Sequence, residues 1–235
     1  MRVIAVEDYE EMSQVAAEYV LGAMYRPGRV NLSITGGSTP RRMYEIMVPR
    51  VAGKKQFGNV HFYNFDEIPY RAGNREGVTI SGLRKLFLTP AGIDESRIHK
   101  LDPSNYQAQD ARIQADGGLD MVVLGLGRDG HFCGNLPGTT MFGDGTVRVE
   151  CDEAMRERLV DEFENGIVDV PDFYITMGPR SIMASRELLM IASGEKKAAP
   201  VAKLLSGEVD SAWPATVLTL HPNFTLIADR AALGE

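Results

Sequence analysis

Cysteine is nearly absent from this 235-residue chain. Cys133 and Cys151 are too few for a disulfide framework or a four-cysteine metal site. Basic residues are outnumbered, 25 Lys and Arg against 32 Asp and Glu, for a net charge of −7. That balance argues against a nucleic-acid surface or an anionic membrane as partner. It still allows an anionic small molecule, which a few local cations and a helix N-terminus can hold. No apolar run approaches the roughly 18 residues of a membrane span, and MRVIAVEDYEE lacks a signal-peptide layout. Repeats, low-complexity stretches and domain linkers are missing as well. A single cytoplasmic domain over residues 1–235 is the expectation.

What is present suits a globular protein with a full core, at 44% hydrophobic and 24% charged residues. Strands are expected at Arg2–Val6, Val30–Thr35, Val60–Phe65, Leu119–Leu126, Phe173–Met177, Leu188–Ala192 and Phe224–Ala228, with a short one at Val147–Glu150. Between them, Glu7–Met24 has helical spacing in Met12, Val15, Ala16, Tyr19, Val20 and Ala23. Further helices are expected at Arg41–Val51, Val78–Leu88, Asn105–Ala115, Glu153–Val160, Arg180–Ser185 and Glu195–Leu205, the last despite Pro200. Asp66–Gly77 reads as a polar loop and Gly134–Gly145 as irregular. Strands alternating with helices predict parallel βαβ units in one α/β domain.

Three of these strands end in chemically loaded turns. Thr35–Pro40, TGGSTP, can bring backbone amides and the Ser38 and Thr39 hydroxyls to one anion, with Thr39 as N-cap and Pro40 in the first helical position. It lacks the Gly-Lys ending of a nucleotide P-loop. Asn64–Glu67, NFDE, places Asp66 at a strand end, as a base or as a plain loop cap. Gly125–His131, GLGRDGH, formally matches a dinucleotide fingerprint, but HFCGNLPG after it does not continue as an apolar-faced helix. Asp129 and His131 carry more chemistry, since an imidazole exchanges protons near neutral pH and a carboxylate can fix its tautomer. An Asx turn and a surface histidine would read the same way. In a parallel sheet all three turns share the edge where ligands bind. Cys133 reads as a small packing residue beside them. His61, His99 and His221 have no partner legible in sequence.

Together the three motifs resemble the glucosamine-6-phosphate deaminase/6-phosphogluconolactonase superfamily. The resemblance continues in Ser193–Lys197, similar to the family's Gly-x-x-Lys turn, and in Trp213–Asp229, WPATVLTLHPNFTLIAD, similar to the closing strand region of the deaminases. It implies a Rossmann-like, mostly parallel sheet flanked by helices and a sugar 6-phosphate substrate. It implies a phosphate held by Gly36, Gly37, Ser38 and Thr39, with Lys197 as the matching cation. It also implies a phosphate-binding arginine from the Glu153–Val160 segment, for which Arg158 is the candidate and Arg180 the alternative. Asp66 then matches the carboxylate that moves a proton between C2 and C1 of the opened sugar. His131 matches the histidine that helps open the ring, and Asp129 matches its carboxylate neighbour. No metal or organic cofactor is expected, because the carbonyl of the open sugar takes up the electron pair. Some deaminases assemble as hexamers, so a homo-oligomer is compatible with the resemblance.

The chain departs from both branches. Deaminases carry a glutamate five residues after the histidine, where Leu136 stands here. Lactonases have an apolar residue near that place and the longer GGSTP form, as in Gly36–Pro40. Yet Ile68 follows Glu67 where lactonases have arginine. The expected activity is an aldose–ketose isomerase or isomerising deaminase acting on a hexosamine 6-phosphate. The alternatives are a sugar-phosphate lactonase, in which His131 would activate water, and a non-catalytic sugar-phosphate sensor.

Overall fold

The computed structural model describes residues 1–72 and 75–235. In chain order its elements begin with β1 (Arg2–Val6), α1 (Tyr9–Met24), β2 (Val30–Ser33), α2 (Arg41–Val51), β3 (Val60–Tyr63), β4 (Asp66–Glu67) and α3 (Val78–Leu83). There follow β5 (Ile98–His99), α4 (Gln109–Ala115), β6 (Met121–Gly125), β7 (Thr146–Glu150), α5 (Glu153–Leu159), β8 (Phe173–Met177) and α6 (Pro179–Met183). The chain closes with β9 (Leu188–Ala192), α7 (Ala198–Leu205), β10 (Phe224–Asp229) and α8 (Arg230–Leu233). Among the described residues no helix is long and apolar enough to cross a membrane.

Seven strands form one parallel sheet in the order β1-β10-β9-β6-β2-β3-β5. Its strands β6 and β9 are apolar along their whole length because both faces are covered. Successive side chains point to opposite faces, so Met121 and Val123 of β6 enter one core while Val122 and Leu124 enter the other. Leu189 and Ile191 of β9 divide from Leu188, Met190 and Ala192 in the same way. On the first face α1 presents Met12, Ala16, Val20 and Met24, all buried, and its first turn is closed by Asp8, which accepts from Glu11 N at 2.9 Å.

Three features depart from the sequence expectation, the smallest being β5, a two-residue edge strand not expected from the sequence. The parallel sheet is joined by a second, antiparallel sheet in the order β4-β8-β7. Its shortest member falls in the segment expected as a loop over 66–77; residues 73 and 74 of that segment lie outside the described residues. Two residues carry no readable period, yet they fix the backbone of Asp66 opposite Thr176 and that of Glu67 opposite Ile175. The expected helix Val78–Leu88 changes after Leu83 to one wider π turn, Arg84–Leu88, and Glu195–Lys197 is a 3₁₀ turn ahead of α7.

Two histidines read as partnerless are in fact paired. His61 and His99 meet through Nδ1 and Nε2 at 2.9 Å, and Arg29 Nη2 lies 3.2 Å from the same nitrogen of His99. Burial first, and then the charge of Arg29, push His61 down to about 4. The unfolded chain therefore binds more protons between pH 6.5 and 4, so stability is lost as pH falls through that window. After discount for solvent screening, about 1–2 kcal/mol should go. Thermal midpoints at pH 7.5 and 5 test this. His61→Asn should show the smaller drop, and equal drops in both proteins would refute the assignment. His221 is the third case, buried with Nε2 2.9 Å from the Ser185 carbonyl.

Candidate active site

The sheet order puts the ends of β9, β6, β2 and β3 side by side, so the turns after them share one rim. After β2 the chain runs through Gly36 and Gly37 to Thr39. Gly37 has φ +85°, a conformation a side chain would strain, and open space surrounds both glycines. Tyr44 donates its hydroxyl to the Thr35 carbonyl at 2.6 Å, and Tyr9 donates to the Ser38 carbonyl at 3.3 Å. The cap differs from expectation: Pro40 occupies the N-cap of α2, and Thr39 makes no capping hydrogen bond. The amide of Arg42 donates instead to the Tyr9 hydroxyl at 3.1 Å. A helix on the far side of the turn thus does what a local hydroxyl was expected to do.

Lys197 reaches the same rim from the β9 side. Its Nζ donates to the Leu126 carbonyl at 2.5 Å, at the end of β6. Next to Leu126, a Cβ on Gly125 would meet Thr35 Oγ1 at 3.9 Å, so lysine and glycine loop sit on either side of one strand end. Burial, and after it the charge of Arg128, lower Lys197 from its ordinary value. The turn carrying it is anchored by Asp229. That buried carboxylate accepts from Ser193 Oγ at 2.5 Å, Gly194 N at 3.0 Å and Ala232 N at 2.8 Å.

The imidazole stands in the turn after the middle strand, β6. His131 Nδ1 and Asp129 Oδ1 are 2.5 Å apart. A carboxylate only accepts, so Nδ1 donates to it, and in the neutral ring this tautomer leaves the lone pair on Nε2. The bond from His131, and then the Arg158 guanidinium, hold the Asp129 carboxyl well below the usual carboxylate range. Arg158 Nη1 donates to Asp129 Oδ2 at 2.8 Å, and Nη2 lies 3.2 Å from His131 Nδ1. The fingerprint glycines have local reasons. A Cβ on Gly127 would fall 2.0 Å from His131 Nδ1, and Gly130 packs against Trp213 with φ +75°. They admit an imidazole and an indole; the dinucleotide match is incidental.

Asp66 faces this pair from β4. Burial pushes its carboxyl up to about 6, against a hydrogen bond from Thr79 and the nearby His131. Cys133 also lies close: it is partly exposed, with φ +49°, and burial of its thiol and the charge of Asp66 raise the thiol well above its ordinary value. A thiol so raised is a poor nucleophile. Leu136 is partly buried, and its amide donates to Thr139 Oγ1 at 3.0 Å. The segment after it is tied at its start by Asn135 Nδ2 to the Met177 carbonyl and at its end by Gly178 N to the Gly145 carbonyl.

Arg180 is not part of this rim. It stands 3.9 Å from Asp110 and lines a cavity of about 550 Å³ with Gly118 and Leu119, which precede β6 at the opposite edge of the sheet. Glu67, Thr79 and Gly127 were not singled out from sequence. Only the glycine spacing around Gly127 gave any signal, and it pointed to another chemistry.

A carboxyl edge arranged like this places the chain among the Rossmann-like α/β proteins that bind ligands where parallel strands end. Residues 7–226 match the family model described as glucosamine-6-phosphate isomerases/6-phosphogluconolactonase, and the chain belongs to that family. A glucosamine-6-phosphate deaminase of Oceanobacillus iheyensis is 32% identical over 245 residues, covering 100% of this chain and 96% of the relative. One from Lysinibacillus sphaericus is 35% identical, covering 97% and 98%. Among solved structures, a monomeric glucosamine-6-phosphate deaminase superposes with TM-score 0.85 at 28% identity, covering 100% and 99%. The 6-phosphogluconolactonase of Trypanosoma cruzi shares the fold, with TM-score 0.78 at 18% identity, covering 100% and 96%.

Proposed function

We propose that this protein is an isomerising deaminase of a hexosamine 6-phosphate of the glucosamine or galactosamine type. Asp66 carries the reading. A carboxyl raised to about 6 is ionised at neutral pH yet basic enough to take a carbon-bound proton, and it faces an oriented imidazole. Gly36, Gly37, Ser38 and Thr39 hold the phosphate, with Lys197 as cation. His131 Nε2 accepts the C1 hydroxyl proton and delivers it to the ring oxygen as the C1–O5 bond breaks. Asp66 then takes the proton from C2. The electron pair left behind forms the C1–C2 double bond while the aldehyde oxygen gains a proton from a solvent water, leaving hydroxide. Return of the proton from Asp66 to C1, with one amino proton passing to that hydroxide, leaves an imine at C2, which water converts to the ketone with loss of ammonia. Asp129 keeps Nε2 free by holding the proton on Nδ1, and Arg158 fixes Asp129. All these groups come from one chain.

Ammonia and ketose formation from glucosamine and galactosamine 6-phosphates is the direct test. Leu136 favours a second reading, since the imidazole lacks the glutamate found in deaminases: a sugar-phosphate lactonase with His131 activating water. Lactone consumption without ketose formation would establish that second reading. Lys197→Ala is expected to raise KM about 10-fold or more with a smaller change in kcat, as loss of a charge-assisted hydrogen bond implies. An unchanged KM would remove Lys197 from the phosphate site.

A further inference from the structure

We propose that Thr79 is a positioning residue for Asp66, holding one carboxylate oxygen so that the other takes the proton, and that Glu67 holds Thr79 in place for that task. The proton-transfer step itself rests on the isomerising reading above. Thr79 Oγ1 donates to Asp66 Oδ1 at 3.2 Å. Among the described residues Oδ2 has no hydrogen-bond partner. The backbone of Asp66 is already fixed by its pairing with Thr176. One tether on the side chain then fixes the plane of the carboxylate.

The threonine is itself clamped. Glu67 is buried, and its Oε1 accepts from Thr79 N at 2.8 Å and from Ile68 N at 3.0 Å. Its Oε2 accepts from Ile80 N at 3.1 Å and from Asn64 Nδ2 at 3.3 Å. The first turn of α3 is thereby tied to the residue beside the base. Gly77 completes the fit, because a Cβ there would lie 2.3 Å from Glu67 Oε1. A glutamate that only capped a helix would not need the next residue's hydroxyl aimed at Asp66. Here two adjacent carboxyls, on opposite faces of β4, engage the amide and the hydroxyl of the same threonine.

A donor to a carboxylate favours its charged form, so its removal should raise the Asp66 titration. Carboxyl-carbon NMR of the ligand-free protein reads this directly. Thr79→Val should move the Asp66 midpoint up by about half a unit to one unit, and Thr79→Ser should restore it. Thr79→Ala gives the same reading should valine crowd the turn. The acidic limb of kcat for a hexosamine 6-phosphate should move up with the midpoint, at nearly constant KM. An Asp66 midpoint unchanged in both Thr79→Val and Thr79→Ala would overturn the assignment, as would a serine variant that titrates like the valine one. A wild-type protein without deaminase or isomerase turnover would end the isomerising reading, and the titration would still decide the role of Thr79.

Discussion

Asp66→Asn is expected to lower kcat for a hexosamine 6-phosphate by about 10²–10⁴-fold while sugar-phosphate affinity stays within a few-fold. The amide is nearly isosteric and its oxygen can still accept from Thr79, so the turn that holds Asp66 opposite Thr176 should persist. What is lost is the lone pair that takes a proton from carbon. The same change should stabilise the fold. Burial raises the Asp66 carboxyl from 3.8 to about 6, so ionising it costs more in the folded chain than in the unfolded one. Stability is therefore fullest below pH 4 for this group and declines as pH rises through 6. Asparagine escapes that decline. At pH 8 its thermal midpoint should exceed that of wild type by a few degrees, corresponding to about 1–2 kcal/mol after screening, and the advantage should vanish near pH 4. A variant that loses binding and turnover equally, or melts lower at pH 8, would contradict the assignment of Asp66 as base.

Gly127→Ala should be nearly as damaging for a different reason. The backbone there is not in the left-handed region, so alanine is conformationally acceptable. Its Cβ would nevertheless lie 2.0 Å from His131 Nδ1, 2.3 Å from Cε1 and 2.5 Å from Cγ. The ring must leave, and with it goes the bond to Asp129 that sets the tautomer. A drop of about 10²–10³-fold in kcat is expected, the range of a displaced general acid–base group. Circular dichroism should remain that of wild type, and sugar-phosphate binding through Lys197 should survive. Activity close to wild type in Gly127→Ala would mean that the imidazole is not needed where the structure puts it.

The parallel sheet was legible because its strands are buried on both faces, which writes them as continuous apolar runs such as Met121–Leu124 and Leu188–Ala192. The turns were legible because each ends such a run with polar side chains able to do chemistry, in two of the three with glycine beside them. β4 was not, being two residues long and defined by its partner β8. The cap of α2 was misplaced because local rules name Thr39, whereas Tyr9 from α1 supplies the hydroxyl. Thr79 and Glu67 lie in different segments, and nothing in either stretch announces that they meet. Gly127 was visible only as spacing, and spacing cannot say what needs the room. The roles of Arg158 and Arg180 were separable only in space: one guanidinium binds Asp129, the other stands by Asp110 across the sheet.

Among the described residues β1 has a single neighbour in the sheet, β10, whose residues Thr225 to Asp229 pair with Arg2 to Val6. β1 is thus seated by a strand more than two hundred residues further along the chain. Until the two pair, α1 has no strand beneath part of its buried face, and loop closure over more than two hundred residues makes this docking slow. Tyr9, which pins the Ser38 carbonyl and the Arg42 amide, rides on that helix. The lysine turn shares this dependence, since Asp229 of β10 holds Ser193 and Gly194. The glycine turn and the lysine turn, far apart in sequence, would therefore settle together once β1 closes onto β10.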